Sequence, residues 1–191
     1  QYQQEEVVAR VLVEGEPVDS KLPDAQLLRR SSDPAPISDE EFASKGGLSR
    51  SVHVAIVFRT DSRLGVRPTE EEWEHPDQGG VVFVVGADNM QGFAPYHSKL
   101  TLTQTMTLDT VEEWTVWNHN AYPHPFHIHV NHCYVVKVNE KPVEPFWADT
   151  LPLPPGSNAQ PGSITFRSRL EDFHGKFVWH CHDLAHEDLG M

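Results

Sequence analysis

The sequence predicts an all-β fold, a sandwich or barrel of short strands. Two observations carry this. Short apolar and β-branched runs recur from residue 51 onward, with turn residues between them. Fifteen prolines and twelve glycines suit a loop-rich β protein better than a helical one. The 191 residues suffice for one substantial core, and moderate apolar content fits a soluble globular class.

The elements follow in order. Residues 5–13 read as a strand, followed by a Pro-, Ser- and Asp-rich stretch through Pro36. Ser38 is placed to cap a short helix whose first turn holds Asp39, Glu40 and Glu41, and Gly46-Gly47 ends it. This opening stretch is too thin for its own core. Residues 1–50 are therefore expected to be the edge of a preceding domain plus a linker, and 51–191 the main domain.

Residues 52–59 alternate and are β-branched, which predicts a strand. The polar, acidic stretch 62–79 predicts a surface loop, and the acidic run at 70–72 a solvated face. The unbroken apolar run 81–85 predicts a buried strand. Strands are expected at 100–108 and 111–117, separated by Asp109-Thr110, and at 128–138. A Pro/Gly-rich loop covers 152–162, and strands at 163–169 and 176–180 close the series. No internal repeat is present.

Composition narrows the partners. The net charge of −13 disfavours nucleic acid and anionic membrane surfaces. No apolar run approaches a membrane span. The chain has no initiator Met and no signal-like start, so it is expected to be a processed form or a piece of a longer one. Cys133 and Cys181 could form one disulfide, but Cys181 is better explained as a metal thiolate, and Cys133 as a small buried hydrophobe.

Six of the twelve histidines fall in two short clusters. In His180-Cys181-His182, strand alternation puts Phe177, Trp179 and Cys181 on one face and His180 and His182 on the other. The aromatic face is the expected core, so Cys181 points inward and the histidines outward. His186 and Met191 follow on a loop that can fold back. Two imidazoles, a thiolate and a weak thioether are the ligands of a blue-copper electron-transfer site. The second cluster is His124-Pro125-Phe126-His127-Ile128-His129. His127 and His129 share a face, and His124 supplies the second imidazole beside Cys181. The expected mononuclear site is His124, Cys181, His186 and Met191. His127, His129, His180 and His182 form two outward pairs, too few to hold three metal ions at about three ligands each.

These motifs resemble the last domain of the multicopper oxidases, the laccase-like family. Its His-Pro-x-His-x-His and His-Cys-His-x3-His-x4-Met motifs stand here without gap or substitution. The resemblance covers roughly residues 51–191. It implies a cupredoxin-like Greek-key sandwich or barrel, with residues 1–50 as the end of a preceding cupredoxin domain and its linker. It further implies a type 1 copper on His124, Cys181, His186 and Met191, with His127 as a type 2 ligand. His129, His180 and His182 are implied as type 3 ligands, so this chain half-ligands the type 2 and type 3 coppers.

The family's two N-terminal His-x-His motifs are absent. The resemblance therefore implies complementary N-terminal cupredoxin domains, on another chain or a removed segment. The implied reaction takes single electrons from a small reducing substrate, routes them from Cys181 to His180 and His182, and reduces O2 to water. Glu187 occupies the place of a proton-supplying carboxylate of bacterial members, and Asp183 has less support. Met90, Met106 and Met191 make no methionine-rich segment, which weakly disfavours a dedicated cuprous oxidase. The family is mostly exported, so a secreted or periplasmic location is expected. Two other readings stay open: a stand-alone blue-copper electron-transfer protein, and a copper nitrite reductase-like subunit.

Overall fold

The computed structural model describes residues 34–58, 60–64, 81–87, 92–94 and 104–191. The expected strand at 5–13 and the stretch 65–79 of the expected loop lie outside them. Pro34–Met191 forms one compact unit. It opens with helix α1 (Asp39–Ser44), where the Glu41 amide donates to the Ser38 hydroxyl at 3.1 Å and three acidic residues fill the first turn. Gly46, at φ +100°, turns the chain toward β1 (Leu48–Phe58). The remaining elements are β2 (Val81–Ala87), β3 (Thr110–Asn118), β4 (His124–Ile128), β5 (Cys133–Val138), β6 (Lys141–Ala148), β7 (Thr150–Leu153), β8 (Gly162–Leu170), β9 (Trp179–Cys181) and α2 (Leu184–Glu187).

Several expected strands are redrawn. The run 128–138 is not one strand: β4 ends at Ile128, the chain reverses through Val130, and β5 starts at Cys133. Strands β6 and β7 were not anticipated from the sequence. Pro142 and Pro145 are tolerated in β6 because it is an edge strand, paired with β5 alone. Residues 104–108 form no strand, and β9 begins at Trp179 rather than at 176.

Six strands pair in the order β2-β1-β3-β8-β5-β6, and three in the order β7-β4-β9. Among the described strands, the β1–β3 pair is parallel and the other pairs are antiparallel. The main core lies between the two sheets, as sandwich architecture requires. The larger sheet contributes Val52, Val54, Trp114, Val116, Val135, Ile164 and Phe166, and the smaller one Phe126, Leu151, Leu153 and Cys181. Strand β1 is covered on both faces: Ala55 and Val57 pack the other way, against Val82, Val84 and Phe93.

The segment before β1 is tied to the larger sheet. Ile37 is buried with Val111 and Tyr134. Arg169 grips Glu41 through two hydrogen bonds of 2.6 and 2.7 Å, and Arg167 pairs with Asp39 and Glu113. Inside, buried Glu112 accepts two bonds from Arg50 at 2.6 and 2.8 Å and one from the Trp114 indole at 2.9 Å. That pairing and its added donor are what a buried carboxylate needs.

Candidate metal centres

Strands β4 and β9 pair antiparallel, with Phe126 opposite Cys181 and His127 opposite His180. This register assembles both histidine clusters. His124 opens β4, Cys181 closes β9, and α2 carries His186 just beyond. Asp183 caps α2 by accepting from the Ala185 amide at 3.1 Å. The chain then folds back: the Met191 amide donates to the His186 carbonyl at 3.0 Å, and the Cys181 amide donates to the Met191 carbonyl at 3.1 Å. Met191 is thereby buried beside Cys181 in the main core.

The first centre is a triangle of donor atoms. The Nδ1 atoms of His124 and His186 lie 3.2 Å apart, and each is 3.6 Å from the Cys181 Sγ. A point about 2.0 Å from all three atoms exists inside that triangle, close to metal–nitrogen bond lengths and slightly short for a thiolate. The donor set therefore fits a metal ion. Burial pushes the His124 pKa down to about 4, helped by His186, so its imidazole is neutral and able to ligate. Burial pushes the Cys181 thiol up to about 11, so a metal taken up here displaces its proton.

The loop that delivers His124 is fixed by two asparagines. Fully buried Asn118 donates to the Tyr122 and Pro154 carbonyls at 2.7 and 2.9 Å and accepts from the Asn120 amide at 2.9 Å. Asn120 in turn bonds both backbone groups of Ile56. The 154–162 loop closes on Asn118 so tightly that a Cβ on Gly156 would meet the Gly162 nitrogen at 2.0 Å. Tyr122, 54 % exposed, stands edge-on to both His124 and His186, and Phe83 packs on His186 at 4.9 Å between ring centroids.

The second centre is a face of four imidazoles. His127 lies 4.9 Å from His129, 5.6 Å from His180 and 5.3 Å from His182 between ring centroids. His129 and His180 approach to 3.2 Å between Nε2 atoms. Donor atoms of His127, His129 and His180 all lie within 4.8 Å of one another. Two rings have an assignable tautomer. The His127 Nδ1 faces the Asp149 carbonyl at 2.7 Å, and the His180 Nδ1 faces the Cys181 carbonyl at 2.9 Å. A carbonyl only accepts, so Nδ1 carries the proton in each ring and Nε2 keeps a lone pair for a metal. The charges of neighbouring imidazoles add to desolvation in lowering the His129 pKa.

The structure thus brings His124, Cys181, His186 and Met191 to one place, and His127, His129, His180 and His182 to another. Cys181 is the shared junction, buried between a half-buried His180 and an exposed His182. Glu187 is exposed on α2, and Asp183 serves as the helix cap. Cys133 is fully buried with its thiol pKa pushed up by burial, as a small hydrophobe would be. Sequence reasoning missed Tyr122, Asn118 and Asn120. Only their positions just before His124 could have flagged them.

The fold recurs in known proteins. The family model described as multicopper oxidase matches residues 69–191. A multicopper oxidase of Staphylococcus haemolyticus is 34% identical over 94 residues, covering 46% of this chain and 20% of its own. The laccase of Bacillus subtilis is 26% identical over 111 residues, covering 47% and 21%. The chain therefore spans about a fifth of these relatives' length. The crystal structure of a Pediococcus acidilactici laccase superimposes with a TM-score of 0.50 at 21% identity, over 75% of this chain and 25% of that one. That likeness supports the cupredoxin-like all-β fold. With a family match over well over half of its residues, the chain belongs to the multicopper oxidases.

Proposed function

We propose that residues 51–191 carry the C-terminal cupredoxin domain of a laccase-like oxidase, with residues 1–50 as the end of a preceding domain and its linker, the linker part from Pro34 onward packing with the C-terminal unit. In this reading His124, Cys181, His186 and Met191 bind the type 1 copper. His127 serves the type 2 copper, and His129, His180 and His182 the type 3 pair. The remaining ligands come from complementary N-terminal cupredoxin domains. Bound copper would supply one-electron chemistry, drawing electrons from a small reducing substrate and passing four of them to O2 to give water.

The chain's own residues have distinct tasks. Cys181 holds the soft thiolate, and its backbone runs directly into His180 and His182. His186, edged by Tyr122 and Phe83, is the imidazole on the side where a substrate approaches. Glu187 supplies protons for oxygen reduction. The reading implies an exported protein, secreted or periplasmic. Among the described residues, no helix is long and apolar enough to cross a membrane.

The carrying observation is the shared junction: a two-imidazole, one-thiol triangle with His124 and Cys181 buried, one residue away from a four-imidazole face. A stand-alone electron-transfer protein needs the first and leaves the second unexplained. Copper titration of the full chain, followed by visible and electron paramagnetic resonance spectra, tests the reading. The first equivalent should give an intense thiolate-to-copper band, absent in Cys181→Ser. Later equivalents should bind without adding to it. A band that survives Cys181→Ser would sink the assignment.

A further inference from the structure

The sharpest backbone anomaly lies beside the four-imidazole face. Val130 has φ of 71°, in the left-handed region where a β-branched residue crowds its own backbone. The Asn131 amide donates to the His129 carbonyl at 2.8 Å, closing a γ-turn around Val130. The positive-φ form of this turn is the rare and strained one. Packing does not compensate, since the Val130 side chain is 47 % exposed. Among the described residues, the other non-glycine residues at positive φ, Asp109, Asn139 and Glu140, are not branched at Cβ.

The turn acts on His129. This residue lies one position past the end of β4. Its amide donates to the Val178 carbonyl at 3.0 Å, and its carbonyl is taken by the turn. Both backbone groups are therefore fixed, and the ring reaches His180 at 3.2 Å. A glycine would reach the same φ without strain, but would also visit many other conformations. Valine has very few alternatives once chain reversal forces the turn. Strain held at such a place is a recurring mark of pre-organised sites.

We propose that Val130 is a positioning residue whose strained turn locks the His129 backbone, holding this imidazole in place with His127 and His180 for a metal ion. The proposal rests on the metal reading of that face.

The test is zinc ion titrated into the full chain, followed by the ring resonances of His129 and His180 in nuclear magnetic resonance spectra. In Val130→Gly the metal-free melting temperature should rise by roughly 2–8 °C as strain is released. The zinc dissociation constant read at His129 should weaken about 10-fold or more, the usual effect of losing a group that orients a ligand. The Asn131 amide should exchange faster. Val130→Ala keeps an L-residue in the turn and should bind zinc within about 3-fold of the parent. A purely structural role would move the melting temperature and leave zinc affinity alone. Unchanged affinity in Val130→Gly, or equal losses in both variants, would overturn the proposal while leaving the metal reading intact. A parent chain whose His129 resonances ignore zinc would overturn both.

Discussion

His119 shows how one side chain can govern the response to acid. It follows β3 and meets His53 at 3.0 Å between ring nitrogens, and both line a pocket of about 270 Å³ together with Phe93. Burial, with the charges of His53 and Arg63, pushes its pKa down to about 4. The unfolded chain takes up this proton near pH 6.5, whereas the folded chain resists until about 4. The unfolded state therefore binds more protons across that window, and stability must fall as pH drops from 6.5 to 4. Below 4 the loss is complete. With partial exposure discounted, the cost is about 1–2 kcal/mol. His119→Gln should lose less stability between pH 7 and 4.5 than the parent, read from urea midpoints at the two pH values. Parallel pH profiles for the two proteins would refute the assignment.

At the scale of the element, the β5–β6 hairpin turns on Asn139 and Glu140, at φ 48° and 62°. Two consecutive positive φ values fit a type I′ turn, whose twist matches that of its strands. Asn139 suits its position and also accepts from the Ser163 amide at 3.0 Å. Glu140 sits where glycine is preferred. Glu140→Gly should stabilise the chain by about 0.5–1 kcal/mol, seen as a higher urea midpoint. A lower midpoint would rule out the I′ geometry. The same elements explain what the sequence could tell. Alternation of Trp179 and Cys181 was legible because one face of β9 must reach the core. The break inside 128–138 was not, because its turn is centred on Val130, a residue that signals strand. Strand β6 was hidden by Pro142 and Pro145, which only an edge position permits. The candidate metal ligands stood out because the donor types that copper chemistry requires leave little freedom in the sequence. Asn118 and Tyr122 shape the same site through backbone bonds and ring packing, which no local pattern encodes.

For the whole molecule, the two centres differ in completeness. The Cys181 triangle is enclosed by the chain that forms it, with His124 and Cys181 almost wholly buried. The four-imidazole face is open, with His129 and His182 exposed. Four imidazoles cannot give three metal ions about three ligands each. The chain also spans only about a fifth of the relatives it matches. On the proposed function, electron uptake and oxygen reduction should therefore separate. The copper-loaded chain alone should lose its blue colour when a reducing substrate is added, and regain it only slowly in air. Adding a polypeptide that carries the missing imidazoles should restore rapid recolouring together with oxygen consumption. The two signals would be followed in parallel by stopped-flow absorbance and an oxygen electrode. In the restored assembly, Glu187→Gln should slow recolouring while leaving bleaching unchanged, because protons are needed only where oxygen is reduced. Rapid recolouring with oxygen uptake by the chain alone, shown to be monomeric, would mean that its four-imidazole face is sufficient, and the division of labour would fall.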